Sequence, residues 1–191
     1  MRDDQAILLA ISNRDEEALV ELMQRYREPV YRLAYRYVGN GVDAANLAEE
    51  VFEKIYFNAH KYKPRSPARS WIFTIAANLF RDFLRRERRQ RHSVSLSATF
   101  SEGENSTPFV DQFPSEEKDG AESAQSGELL DQLRQAIREL PEKLRFPFIY
   151  CVLEENSQDS AAEVLCISRK SVESRIYRAR KQLQGMVEAK S

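Results

Sequence analysis

Trp71, Thr74, Asn78, Arg81, Arg85 and Arg88 recur at steps of three and four, so a helix would carry them on one outward stripe. That stripe combines an aromatic ring, an amide with donors and an acceptor, and a row of guanidiniums. These are the groups that stack on bases, read base edges and neutralise phosphates. A basic loop with Lys61, Lys63, Arg65 and Arg69 leads into it. A second cluster lies near the C-terminus: Arg169, Lys170, Ser171, Glu173, Ser174, Arg175 and Arg178. Arginine can bind guanine bidentately, glutamate can accept from a cytosine amine, and serine can serve either role. Plainer readings stand beside these. Trp71 could anchor the preceding loop, Asn78 could cap or bridge helices, and Arg85 to Arg91 could be a solvated helix end, which suits cations.

The elements that would hold these residues read as helix throughout. Ile72, Ile75, Leu79 and Phe83, widened by Phe73, Ala77, Phe80 and Leu84, predict the buried side of a long helix from Ser70 to Arg91, with Ser66 as cap and Pro67 as first residue. Upstream, Asp3 to Ser12 and Asp15 to Tyr26 are amphipathic. Pro29 opens a third helix that ends at Gly39-Asn40-Gly41, and Asp43 caps a fourth with Leu47, Val51 and Ile55 inside. Downstream, Leu129, Leu133, Ile137 and Leu140 make a stripe, and Pro141 opens a helix that Pro147 should bend. Ser157 then caps a short helix, Cys166-Ile167 turns, and Ser168 caps a last helix with Val172, Ile176, Ala179 and Leu183 inside. A short helix, a tight turn and a longer basic helix form the helix-turn-helix pattern. With no sustained strand alternation, the expected fold is all-α: two small helical domains.

The charge is segregated. The net of −1 conceals 17 Lys and Arg against 13 Asp and Glu in residues 1–92, and one Lys against seven acids in residues 93–127. Residues 128–191 hold 11 basic against 10 acidic residues. Local basic patches attract phosphate, so the neutral total does not argue against nucleic acid. Residues 93–127, rich in Ser, Glu, Gly and Pro, read as a flexible acidic linker. Their Phe100, Phe109 and Phe113 either dock weakly on a neighbouring domain or thread through a partner's cleft.

Apolar content of 42% suffices for a core, and no apolar run approaches the roughly 18 residues of a membrane span. The acidic start, without a basic leader, and two cysteines in apolar surroundings (Cys151 and Cys166) fit reduced, buried thiols in a cytoplasmic protein. His60, His92 and the cysteines lack metal-ligand spacing. Neither a Gly-rich phosphate loop nor a nucleophile set is present, so an enzyme is the poorest fit and no cofactor is expected.

Leu22 to Tyr56, Ser70 to Arg86 and Leu140 to Leu183 together resemble the bacterial sigma factors of the extracytoplasmic-function group, in the order that family has them. The resemblance spans nearly the whole chain apart from the linker and extreme ends. It implies a promoter-specificity subunit with residues 1–92 binding polymerase core and the −10 element, and residues 128–191 binding the −35 element. Asn46, Leu47, Glu49, Glu50, Val51 and Phe52 match the segment that docks on the clamp of RNA polymerase. Asn78 matches the residue near the flipped −10 base, the loop with Lys61, Lys63, Arg65 and Arg69 matches the base-capturing loop, and Arg81 and Arg85 match the nearby backbone contacts. Arg169, Lys170, Ser171, Glu173, Ser174, Arg175 and Arg178 fall on the −35 recognition helix. Glu173 stands where a basic residue is common, Cys166 replaces a usual turn glycine, and Asn156 and Ala161 replace apolar residues. The implied partners are the β and β′ subunits of the core, promoter DNA and an anti-sigma factor. Two other classes compete: a stand-alone helix-turn-helix regulator of duplex DNA, and a helical adaptor that binds only protein.

Overall fold

The computed structural model describes residues 2–94 and 124–188, and their regular elements are all helical. In chain order they are α1 (Asp4–Ser12), α2 (Glu16–Val38), α3 (Gly41–Asn58), α4 (Ala68–Val94), α5 (Ala124–Glu139), α6 (Glu142–Phe148), α7 (Gln158–Leu165) and α8 (Arg169–Glu188). A 3-10 turn covers Ala59–Lys61, and a π turn covers Ile149–Leu153. The all-α expectation agrees with this. Phe100, Phe109, Phe113 and most of the expected linker lie outside the described residues. Its two ends, Ser93-Val94 and Ala124 to Gly127, are helical as extensions of α4 and α5.

Caps set most boundaries. Asp3 and Asp15 accept from the backbone N–H of Ala6 and Ala18, satisfying donors that an unfinished first turn leaves open. Three expectations are corrected. Pro29 does not open a helix: α2 runs through it, because its missing N–H costs one bond to the Arg25 carbonyl while the buried stripe Leu22, Tyr26, Val30, Leu33 and Tyr37 continues in register. Asn40, not Asp43, caps α3, its carbonyl oxygen accepting from Val42 and Asp43 N–H. Ser66 does not cap α4; its hydroxyl donates to the Lys63 carbonyl, and the Pro67 carbonyl accepts from Trp71 N–H. Gly39 ends α2 with φ 76°, a left-handed turn that disfavours any Cβ.

Helices α1 to α4 enclose Ile7, Leu22, Leu33, Val51, Ile72 and Phe80, and α5 to α8 enclose Leu140, Ile149, Val164, Val172 and Ile176. Each such side chain contributes about 1.5–3 kcal/mol on burial. Ile75 and Phe83 are only half-buried, and Leu133 is exposed, so those two stripes are narrower than their periodicity suggested. The bend expected at Pro147 takes the form of the π turn, which widens the helix directly after the proline.

The two units are pressed together rather than held apart, and their apolar interiors form one cluster. Phe73 meets Tyr150 edge-on with centroids 5.4 Å apart, and Tyr37 meets Phe146 at 6.3 Å. Arg145 is buried at the seam, and burial lowers its pKa. Its guanidinium donates to the carbonyls of Tyr37, Arg138 and Leu140 and stands 5.4 Å from the Tyr37 ring. It thus satisfies carbonyls at the C-terminal ends of α2 and α5, where cations are favoured.

Candidate nucleic-acid interface

The basic loop and α4 are built as one surface. Lys61, Lys63 and Arg65 are exposed, and Lys61 Nζ donates to Asn58 at 2.7 Å. The loop is fixed from beneath by Tyr62, which is 5% exposed and donates its hydroxyl to the Ser66 carbonyl at 2.8 Å. Trp71 is half-buried with its ring 5.5 Å from that of Tyr62, so it does anchor the loop while leaving one part accessible. Trp71, Asn78 and Arg85 are spaced by seven, which puts each about 20° around the helix from the next. Asn78 and Arg85 are exposed.

The neighbouring edge of the same helix meets the second unit. Ser70 Oγ donates to Glu163 at 2.5 Å, and Thr74 Oγ1 donates to the Val164 carbonyl at 3.1 Å. Arg81 lies 3.5 Å from Glu142. Arg69 stacks 4.9 Å above Phe73 and donates to Asn156 Oδ1 at 2.9 Å. The α4 stripe therefore splits lengthwise into an open edge and one that pairs with the second unit while Arg69 stays exposed.

On α8 the division follows the periodicity. Val172, Ile176, Ala179 and Leu183 are buried, while Lys170, Glu173, Ser174 and Arg178 are exposed and Arg175 is half-buried. Ser168 Oγ accepts from Ser171 N–H at 3.2 Å, capping the helix and holding the Ser171 side chain locally. Arg169 pairs with Asp159 at 3.3 Å. Cys166 is exposed and Cys151 half-buried, against the expectation of buried thiols, because Cys166 takes the left-handed conformation with φ 53° at the turn where a glycine would be unstrained. Sequence reasoning missed Tyr177, which is 67% exposed; it follows Glu173 and Ser174 by four and three residues, a spacing that could have revealed it.

On α3 the six residues expected to dock on polymerase divide by face. Leu47, Val51 and Phe52 belong to the core at 2%, 0% and 4% exposure, because their spacing follows the inner stripe. Asn46 and Glu49 are exposed, and Glu50 lies 3.7 Å from Arg86. A groove of about 360 Å³ runs between α3 and α4, lined by Asp43, Asn46, Glu50, Phe83, Arg86 and Gln90. Burial there pushes the Asp43 carboxyl above its ordinary pKa.

Outward surfaces that carry basic residues thus lie on both helical units, and comparison with known proteins gives the class. The Sigma-70 region 2 family model matches residues 22–90, and the Sigma-70, region 4 family model matches residues 130–183. The chain is 30% identical over 164 residues to the ECF RNA polymerase sigma factor SigE of Mycolicibacterium smegmatis, spanning 86% of this chain but 59% of that relative. It is 28% identical to SigW of Bacillus subtilis, covering 91% of each, and 27% identical to the sigma-E factor of Escherichia coli, covering 97% of this chain and 94% of the relative. In fold it is similar to CnrH solved with the cytosolic domain of CnrY, with a TM-score of 0.67, 20% identity, and coverage of 98% of this chain and 99% of CnrH. It is also similar to the sigma factor RpoE solved with the anti-sigma factor NepR from Bartonella quintana, with a TM-score of 0.62, 18% identity, and coverage of 88% and 95%. The chain belongs to the sigma-70 family of RNA polymerase sigma factors, in its extracytoplasmic-function (ECF) group. Members of that family are transcription-initiation factors and not enzymes, which favours the promoter-specificity reading over a stand-alone regulator. No helix among the described residues is long and apolar enough to cross a membrane.

Proposed function

We propose that this chain binds RNA polymerase core through residues 1–92 and grips promoter DNA at two places, with residues 93–127 joining the −10 unit to the −35 unit of residues 128–191. One observation carries this reading. The two outward basic surfaces, on the loop with α4 and on α8, fall inside the two matched sigma regions in the order the family has them.

Each residue then has a physical task. Asn46, Glu49 and Glu50 face the β′ clamp along the α3–α4 groove, while Leu47, Val51 and Phe52 hold α3 in place from inside; the β subunit contacts the rest of the chain. Asn78 holds a base extruded from the −10 duplex, and this capture offsets the few kcal/mol of unstacking. Lys61, Lys63, Arg65, Arg69, Arg81 and Arg85 neutralise phosphates of the separated strand, and Trp71 braces the loop and offers a stacking edge. On α8, Arg175 and Glu173 read base edges, while Arg169, Lys170, Ser171, Ser174 and Arg178 fix the register on the backbone. The work is capture rather than bond chemistry, and it calls for no metal or cofactor. The solved complexes of CnrH and RpoE with partner proteins support an anti-sigma factor as a further partner of this chain, acting in the cytoplasm.

Reconstitution tests this directly. Purified chain and core polymerase on a promoter library should give open complexes that depend on the chain. Failure to associate with core, or opening that proceeds equally without the chain, would refute the reading.

A further inference from the structure

The C-terminal end of α3 carries an aromatic group that the core does not use. Phe57 is 53% exposed, and the Tyr56 ring stands nearly perpendicular to it with centroids 5.5 Å apart. The Arg14 guanidinium, from the turn between α1 and α2, lies 4.9 Å from the Tyr56 centroid and 5.8 Å from that of Phe57. Arg14 is exposed and holds a left-handed backbone at φ 66°, where a glycine would be unstrained. Among the described residues no carboxylate pairs with it. The cluster is joined to the basic loop. Asn58, next to Phe57, donates to the Lys54 carbonyl at 2.8 Å and accepts from Lys61 Nζ at 2.7 Å. Glu53 and Lys54, one turn back, offset each other in charge, which leaves Arg14 and Lys61 to set the sign. Two rings and two unopposed cations at the end of a strand-facing loop suit one kind of occupant, an unpaired base with its phosphate.

The geometry points to a second nucleotide site: Phe57 stacks a base of the melted strand beyond the one held at Asn78, and Arg14 takes the adjoining phosphate. A strand that crosses the loop at Lys61 meets Phe57 next, because Asn58 ties that lysine to the end of α3. Tyr56 props the Phe57 ring from its edge, and the backbone turn at Arg14 keeps the guanidinium beside both rings. Every base has a π face, so this site anchors the strand without reading it. It adds grip to the open complex and nothing to the promoter consensus. The inference rests on the functional reading above and assigns a task to residues which that reading leaves idle.

The test uses holoenzyme assembled from core polymerase and the full chain. It is offered promoter DNA that is duplex through the −35 element and single-stranded from the −10 element onward. Each base past the −10 element is replaced in turn by an abasic sugar, and affinity is measured by anisotropy. One position is expected at which losing the base weakens binding about tenfold, whichever base stood there. Phe57→Leu keeps apolar bulk but no π face; it should lose the same tenfold on intact DNA and become indifferent to the abasic change. Phe57→Tyr should bind as the parent does. Arg14→Gly removes the guanidinium and relieves the backbone, so DNA binding should weaken while the melting midpoint of the free chain stays in place. A flat abasic scan in the parent overturns the proposal, and so does unchanged binding by Phe57→Leu. Weaker association of Phe57→Leu with core overturns it too, by making the patch a protein contact, and a lower midpoint in Arg14→Gly does so by making Arg14 a structural brace. Holoenzyme that binds none of these DNAs defeats the functional reading and this site with it, whereas firm binding with a flat scan defeats the site alone.

Discussion

Helices α4 and α8 carry similar outward chemistry, yet the chain treats them differently. On α8 the outward groups pair, among the described residues, with short-range neighbours, Arg169 with Asp159 and Ser171 with Ser168. On α4 one edge is engaged by residues about 60 to 90 positions away in sequence, Arg81 by Glu142 and Ser70 by Glu163. A basic stripe is therefore not yet an available one. Periodicity says which way a residue points; only tertiary pairing says whether something already stands there.

The largest effect should come from the packing beneath the edge of α4 that pairs with the second unit. Phe73→Ala removes a ring wedged between Tyr26 and Tyr150 and should cost about 3–5 kcal/mol, read as a shift in urea midpoint. A loss below about 1 kcal/mol would mean that the seam is loosely packed and the contrast between α4 and α8 is overstated. Alkali should act next. Burial pushes the Tyr37 phenol from near 10 up to about 12. Because the folded form resists ionisation, this stabilisation is complete below the unfolded value and disappears as pH climbs through about 12. A tenfold change in the phenol's acidity is worth about 1.4 kcal/mol, so roughly 3 kcal/mol should fade between pH 10 and 12 in denaturant melts. A flat stability profile over that window would place the ring in contact with water.

Two substitutions then compare the helices in function. Arg175→Ala should shift −35 preference by about 1–3 kcal/mol at one base pair in a binding selection, whereas a uniform loss across sequences would make Arg175 a phosphate contact. Asn78→Ala should slow promoter opening while leaving core association intact; equal loss of both would remove it from base capture. The smallest effect belongs to the outer groove, where Arg86→Ala breaks a 3.7 Å pair with Glu50 and should change stability by no more than about 1 kcal/mol. A larger loss would show that the α3–α4 groove depends on that pair.

Much of this was readable beforehand, for physical reasons. The inner stripes of α4 and α8, the Ser157 and Ser168 caps and the turn at Cys166 are local features, encoded within a few residues. The family match supplied the order of the two units. What escaped was non-local or a contest between equals. Arg32, Arg36, Glu154 and Glu163 look like solvated charges in sequence and acquire partners only when distant segments meet. Pro29 signals a helix start, but a continuous apolar stripe outweighed it. Asn40 and Asp43 could each cap α3, and the chain used the earlier one. Leu47, Val51 and Phe52 match a docking motif, yet the spacing of Leu47 and Val51 had already assigned those two to the interior, and Phe52 joins them there.

The wide turn after Pro147 has a mechanical reach beyond its five residues. A helix that takes up one additional residue emerges with everything downstream rotated by about 100°. Glu154, which ends that turn, owes its aim at Arg32 and Arg36 to this offset, and α7 follows it. Excising a single residue from Ile149–Leu153 would restore ordinary pitch and swing α7 and α8 out of phase with α5 and α6. The angular setting of α7 and α8 against α5 and α6 is thus stored in a count of residues.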